Sequence, residues 1–93
     1  MSKIDSYASI WDAIADGPEE AANLRMRAEL MRKIATLVNK ACWTQADAAR
    51  RCGVTQPRLN DLVRGKISRF SLDALVNMAT ALGWKVSLQF KAA

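Results

Sequence analysis

The dipeptide Thr-Gln occurs twice within residues 44–66, TQADAARRCGVTQPRLNDLVRGK, and a single Cys-Gly-Val separates the two halves. Threonine is one of the residues that cap a helix N-terminus, because its hydroxyl accepts a hydrogen bond from a backbone N–H in the first turn. Gly53 stands where the first of two such helices would end, and glycine readily adopts the left-handed conformation that reverses the chain there. The repeat therefore predicts two short helices, starting near Thr44 and Thr55, joined by a tight turn.

Helical signatures flank this segment on both sides. Residues 1–17 carry apolar residues at helical spacing, and this first helix is expected to end before Pro18. Proline suits the first turn of a second, longer helix, which should reach about Asn39. Ser71 can cap a last helix, and Gly83 can end it. The pattern predicts an all-α core of about five helices.

The periodicity changes in the segment WKVSLQF, where apolar and polar residues alternate as in a half-buried β-strand. One strand alone leaves its backbone groups unpaired, so it needs a partner. We expect the partner to be the same strand of a second copy, antiparallel across a two-fold axis. The alternative is an extended tail folded over its own core. The strand is predicted over residues 84–91, and its apolar residues, the expected dimer interface, are Trp84, Val86, Leu88 and Phe90.

Positive charge is concentrated in the middle of the chain. The net charge is +5, but residues 1–23 hold one lysine against five acidic residues, a balance of −4. Residues 24–69 hold eleven Lys and Arg against three acidic residues, a balance of +8. Charge of this kind is either the solvated surface of a helical protein or a surface that binds phosphates. The charge alone does not separate the two interpretations.

Several classes of site are excluded by residue types. The chain has two cysteines and no histidine, so it has too few ligands for a structural zinc site. Without histidine it also lacks the base that Ser-His and Cys-His catalysis require. We expect no metal, no cofactor and no enzymatic activity. Cys42 and Cys52 could form one disulfide, but in a helical intracellular protein small buried thiols are the better expectation.

Membrane insertion and secretion are also not expected. No stretch approaches the roughly 20 apolar residues that cross a bilayer. The opening residues, MSKIDSYAS, lack the apolar run of a secretory signal. The expected location is the cytoplasm.

The spacing within residues 44–66 closely resembles the helix-turn-helix of the Cro/lambda-repressor (XRE) family. The positions that fit the family pattern are Thr44, Gln45, Ala49, Gly53, Val54, Thr55, Gln56, Leu59, Leu62, Gly65 and Lys66. The resemblance covers roughly residues 30–82. Pro57 departs from it, since other members often carry a hydrogen-bonding side chain there. The resemblance implies a lambda-repressor-like fold. We expect this fold to form one domain over residues 1–93, with residues 18–82 as its helical core.

The resemblance also implies that the second helix, beginning near Thr55, lies in the major groove of DNA. Gln56 could then bond an adenine, Asp61 could accept from cytosine N4, and Pro57 could pack on a thymine methyl group. Gln45, in the first turn of the preceding helix, could reach a phosphate. The alternative for each is a solvated side chain. The complete expected DNA-binding set is Gln45, Thr55, Gln56, Pro57, Arg58, Asn60, Asp61, Arg64, Lys66 and Arg69.

A dimer would place two such helices on an inverted repeat of double-stranded DNA, as a repressor does. Small proteins of this appearance resemble HigA-like antitoxins of type II toxin–antitoxin pairs, which implies a small basic toxin as a partner. The acidic segment 1–23, with Tyr7 and Trp11, is a candidate toxin contact, or simply an extra helix packed on the domain. The alternative function is a protein-interaction module without specific DNA binding. RNA binding is less expected, because the chain lacks a cluster of aromatic residues for stacking bases.

Overall fold

The computed structural model describes residues 16–92. Four α-helices follow one another: α1 Pro18–Lys40, α2 Gln45–Cys52, α3 Gln56–Val63 and α4 Leu72–Ala81. A short 3-10 helix, Ile67–Arg69, lies between α3 and α4. The helix predicted within residues 1–17, with the candidate contacts Tyr7 and Trp11, lies outside the described residues except at its very end. No helix within 16–92 is long and apolar enough to cross a membrane.

Three hydroxyl side chains begin the three short helices, as the sequence predicts. Thr44, Thr55 and Ser71 have extended backbone conformations, and each accepts a hydrogen bond from the backbone N–H three residues later, at 3.1, 3.3 and 3.1 Å. Each cap satisfies one of the N–H groups that have no partner within a helix. The N-termini of α2, α3 and α4 are therefore fixed by local sequence.

The turn between α2 and α3 depends on Gly53. Its φ of 72° lies in the left-handed region, which side chains with a Cβ rarely adopt. The N–H groups of Gly53 and Val54 donate to the carbonyls of Arg50 and Ala49, at 3.1 and 3.0 Å, and so satisfy the end of α2. Ala49 is only 3% exposed where the helices approach each other. The predicted helix-turn-helix is confirmed.

The core lies between α1 and the three shorter helices. The buried face of α1 repeats at helical spacing, through Ala21, Leu24, Ala28, Met31, Ile34, Ala35 and Val38. The largest fully buried side chains of the described part are Phe70, Met31, Ile34, Leu59, Leu62 and Leu75. α3 and α4 are therefore anchored by leucines on faces that point away from solvent.

The two cysteines are free thiols in different surroundings. Cys52 is buried, as expected, and burial raises the pKa of its thiol. The expectation that Cys42 is buried is wrong, because this residue is exposed. Cys42 follows α1 in a left-handed conformation, with φ 56°, in the turn that leads to α2. Cys42 therefore lies beyond the buried face of α1, which ends at Val38.

The predicted strand over residues 84–91 is wrong for the described chain, in which residues 84–92 have no regular secondary structure. A strand requires a ladder of hydrogen bonds with another strand, and residues 16–92 supply none. Trp84, Leu88 and Phe90 are 57%, 80% and 97% exposed. Val86 is half-buried against the core, so the tail is folded back over the protein only in part.

Candidate nucleic-acid interface

α3 divides cleanly into an anchored side and an exposed side. Leu59 and Leu62 are 1% and 0% exposed, and Val63 is half-buried against the core. Gln56 and Pro57, in the first turn, are exposed. The N-terminal end of α3 therefore reaches solvent, while its leucines hold it on the protein.

The remaining predicted residues of this helix differ in exposure. Arg64, directly after α3, is exposed, whereas Arg58, Asn60 and Asp61 are half-buried. Thr55 is exposed, but its hydroxyl accepts the capping hydrogen bond from the Arg58 N–H. The structure thus gives Thr55 a defined role in starting the helix.

Gln45 is exposed at the first position of α2, directly after the cap residue. Nearby, the Asp47 carboxylate binds the guanidinium groups of Arg50 and Arg51. These hydrogen bonds, from Arg50 first, hold the pKa of the Asp47 carboxyl below its ordinary value. The Arg51 guanidinium also lies 4.6 Å from the centroid of the Trp43 ring. Asp47 is therefore engaged within α2, and its carboxylate does not return to the cap as a reciprocal capping box would require.

A cluster of charged side chains forms where α3 ends. Arg69 Nη1 donates to Asp61 Oδ2 at 2.9 Å, and Lys66 Nζ lies 3.4 Å from Asp61 Oδ1. The hydrogen bond from Arg69, followed by its charge and by Lys66, lowers the pKa of the Asp61 carboxyl against some desolvation. Asp61 is therefore ionised at neutral pH with a cation on each oxygen.

Arg58 joins the same cluster from the preceding turn of α3. Its guanidinium lies 4.5 Å from the centroid of the Phe70 ring and donates to the carbonyl of Arg69 at 3.3 Å. Phe70 is 1% exposed, so a core aromatic ring fixes one surface cation. We call residues 66–70 the basic turn.

α1 holds the basic turn from the other side. Arg27 Nη1 donates to the carbonyls of Ile67 and Phe70, at 3.3 and 3.2 Å. Arg27 Nε donates in turn to Asn23 Oδ1 at 2.7 Å. Sequence reasoning missed these three contributions, from Asn23, Arg27 and Phe70. The contacts of Arg27 with the two carbonyls join residues 40 and 43 positions apart, for which no local pattern gives a signal, whereas Asn23 and Arg27 have the i, i+4 spacing of neighbours on one helix.

The predicted site residues thus fall into two groups. One group is joined by contacts at the end of α3, and it consists of Arg58, Asp61, Lys66 and Arg69. The other group is exposed at helix starts and at the end of α3, and it consists of Gln45, Thr55, Gln56, Pro57 and Arg64. Asn60, half-buried, lies between them along α3. Together they present amide groups that donate and accept, next to cations, which suits an anionic ligand with hydrogen-bonding edges.

The predicted dimer residues lie elsewhere on the protein. Trp84 and Val86 line a groove of about 520 Å³ together with α1 side chains that include Met26, Leu30 and Leu37. Leu88 and Phe90 extend beyond that groove into solvent. The structure therefore separates an apolar surface from the polar end of α3.

A family model described as a helix-turn-helix domain matches residues 13–91 of the chain. The match includes all four helices and both groups of predicted polar residues. No curated protein matches the chain.

Proposed function

The chain belongs to a helix-turn-helix domain family, and we propose on that basis that it is a sequence-specific DNA-binding regulator of transcription. In such a motif the second helix enters the major groove and its N-terminal residues meet base edges. The observation that carries the proposal is the exposed first turn of α3, held in place by the buried Leu59 and Leu62.

The first turn of α3 reads bases in this proposal. The Gln56 amide has the donor and acceptor needed to bond adenine N6 and N7 together. Pro57 has no hydrogen-bonding group and packs on a thymine methyl group. Asn60 reaches a base or a phosphate from the next turn. The exposure of Gln56 and Pro57 supports these roles.

The surrounding residues bind the DNA backbone. Gln45 meets a phosphate at the start of α2, and the Thr55 cap places its neighbouring N–H groups toward the groove. Arg58, Arg64, Lys66 and Arg69 supply charge along the groove edge. Asp61 has two assignments within this proposal, a contact with cytosine N4 or a role in arranging these cations.

We further propose that the protein is a homodimeric repressor that binds an inverted repeat. One short helix covers only a few base pairs, and two helices on a two-fold axis read two half-sites about one helical turn apart. The exposed apolar side chains of Trp84, Leu88 and Phe90 support self-association, because burying them removes apolar surface from water.

A narrower proposal is that the protein is the autoregulating antitoxin of a type II toxin–antitoxin pair. It rests on the resemblance of the helix-turn-helix segment to small HigA-like proteins. Co-expression with the product of the adjacent gene is the test. Co-purification of a small basic protein that the chain neutralises supports the proposal, and a chain that binds DNA but no such protein contradicts it.

The alternative is a protein-interaction module without specific DNA binding, and the apolar groove between α1 and the C-terminal segment favours it. A double substitution, Gln56→Ala with Arg58→Ala, separates the two functions. If the protein regulates transcription, the variant loses DNA retardation. If it is only an interaction module, the unaltered protein retards no duplex specifically.

Selection of bound duplexes from random DNA, followed by a salt series on the selected duplex, tests DNA binding itself. A dimer that neutralises about eight phosphates gives a slope of log K against log salt of roughly −7. We expect an enriched inverted repeat and a steep negative slope. No enrichment and a slope near zero would overturn the proposed function.

A further inference from the structure

The basic turn is held by contacts from two helices, α3 and α1. Asp61 binds it from α3 through Lys66 and Arg69, and Arg27 binds two of its carbonyls from α1. Backbone contacts add to these, since the Lys66 N–H donates to the Asp61 carbonyl at 3.0 Å. Asp61 therefore binds Lys66 through both main chain and side chain. A segment so fixed loses little conformational freedom when it meets a ligand.

The Asp61 carboxylate is occupied by these cations. Oδ2 accepts from Arg69 and Oδ1 faces the Lys66 ammonium, and the side chain is only 18% exposed. A cytosine amino group could reach this carboxylate only by sharing it with, or displacing, a charged donor. Hydrogen bonds from charged donors are about twice as strong as those between neutral groups. The geometry therefore favours a carboxylate that serves the protein's own cations.

Arg69 and Lys66 remain accessible while they are bound to Asp61. Their side chains are 59% and 40% exposed, so each keeps N–H groups available to solvent. An arginine has five such donors and needs few of them for one carboxylate. A carboxylate placed beside phosphates repels them, so its presence at the groove edge requires a compensating gain. Orientation of two cations supplies that gain.

We propose that Asp61 is a positioning residue: it holds Lys66 and Arg69 in the orientation in which they bind the DNA backbone. Asp61 itself does not contact a base. The inference rests on the proposed DNA-binding function. It deepens that function by assigning the basic turn to the phosphates that flank the reading helix. Base preference then comes from the first turn of α3. Asp61 contributes the same free energy of binding whatever the sequence of the DNA duplex.

The test measures the dissociation constants of four proteins: the unaltered chain, Asp61→Asn, Arg69→Gln and the double variant. Each is titrated with the selected duplex and with its single-base-pair variants over a salt series. We expect Asp61→Asn to weaken binding about tenfold on every duplex, which is the effect of removing one charge-assisted hydrogen bond, with the ranking of sequences unchanged. The salt slope should become shallower by about one for each phosphate that the variant no longer binds.

The double variant shows whether Asp61 acts through Arg69. If it does, adding Asp61→Asn to Arg69→Gln causes a clearly smaller further loss than Asp61→Asn causes in the unaltered chain, because Arg69 is already absent and only Lys66 is left for Asp61 to hold. Asp73→Asn is the matched control, since it removes the same charge from an exposed residue of α4 and should change binding less than about twofold.

Three results would overturn the inference while leaving the proposed function intact. They are a changed preference at one base pair in Asp61→Asn, unchanged or tighter binding by that variant, and an undiminished loss in the Arg69→Gln background. Failure of the unaltered chain to bind any duplex would overturn the proposed function and this inference together.

A second measurement covers the case in which Asp61→Asn does not fold. In the unaltered protein, the side-chain N–H signals of Arg69 should shift in nuclear magnetic resonance spectra as Asp61 becomes protonated in acid. Signals that stay constant through this titration would show that the two groups are not joined in solution, and would overturn the inference.

Discussion

The guanidinium of Arg58 lies 4.5 Å from the centroid of the Phe70 ring, and it donates a hydrogen bond to the carbonyl of Arg69. Phe70 is one of the largest fully buried side chains, whereas Arg58 lies on the half-exposed side of α3. The pair therefore connects the hydrophobic core to the proposed DNA-binding surface. It holds α3 against the basic turn, because the Arg58 guanidinium contacts both the Phe70 ring and the Arg69 carbonyl.

This contact predicts that Arg58→Ala lowers stability as well as DNA affinity. Loss of a cation–π contact of this kind should reduce the free energy of unfolding by about 0.5–1 kcal/mol. Arg64→Ala is the matched control, because Arg64 is an exposed arginine at the end of the same helix, and its free energy of unfolding should stay within about 0.5 kcal/mol of wild type. Urea denaturation measures the free energy of unfolding of both variants. Equal stabilities of the two variants would contradict the structural role of Arg58.

The cap at the start of α3 predicts a cost for Thr55→Ala. The substitution removes the hydroxyl that accepts from the Arg58 N–H, which should reduce the free energy of unfolding by about 1 kcal/mol. Thr80→Ala is the control, since the Thr80 hydroxyl donates to the Val76 carbonyl within α4 and caps nothing. Alanine suits a helix interior better than threonine, so this control should unfold at the same or a slightly higher urea concentration. A cost as large in Thr80→Ala as in Thr55→Ala would contradict the cap's importance.

Much of the helical framework could be predicted from the sequence because its signals are local. Thr44, Thr55 and Ser71 are caps whose hydrogen bonds close within three residues. Gly53 marks a turn that only a residue without a Cβ adopts easily. The 3-10 helix Ile67–Arg69 has no side-chain cap to predict it from, and the bonds of Arg27 to the carbonyls of Ile67 and Phe70 come from 40 and 43 residues away.

The predicted strand and the ion pairs of Asp61 show where the sequence was insufficient, because both features depend on partners that are distant in the chain or absent from residues 16–92. The alternation in residues 84–91 fits a strand, yet a strand exists only when another strand pairs with it. The ion pairs of Asp61 were also not foreseen, since Lys66 and Arg69 reach it only after the chain has turned beyond α3. A residue's exposed position on a helical wheel does not show whether a later segment folds back to bind it.

The exposed C-terminal segment predicts that a charge at Leu88 weakens self-association. In the proposed dimer, Leu88→Lys should raise the dimer dissociation constant at least tenfold, because a lysine cannot be buried in an apolar contact without losing its hydration. Analytical ultracentrifugation measures the change. DNA affinity for the full inverted repeat should fall with it, since two reading helices are no longer held together.

Gln89→Lys is the control for this substitution. It adds the same charge at the neighbouring polar position, so a general electrostatic effect appears in both variants. If Leu88→Lys is monomeric and still binds the full inverted repeat as tightly as the unaltered chain, the proposed coupling of dimerisation to DNA binding is wrong.

The ion pairs of Asp47 and Asp61 predict a loss of stability in acid. The pKa of each carboxyl is lowered in the folded protein from an ordinary value of 3.8. The folded state thus binds protons less readily than the unfolded state, and the contribution is complete above that value and lost as pH falls through the lower, folded pKa. The urea midpoint should therefore decrease below about pH 4.

The variant Asp47→Asn, which removes one of these carboxyls, should show a smaller decrease over the same pH range. Asp73→Asn, at an exposed residue of α4, is the control and should retain the dependence of the unaltered chain. An unchanged pH profile in Asp47→Asn would contradict the contribution of its ion pairs with Arg50 and Arg51.

The proposed function requires that the first turn of α3 meets the DNA bases, and amide chemical-shift mapping during titration with the selected duplex locates that contact residue by residue. We predict the largest shifts at Thr55, Gln56 and Arg58, with smaller shifts at Gln45 and in the basic turn. Shifts confined to the groove between α1 and the C-terminal segment, with the amides of α3 unchanged, would contradict the account.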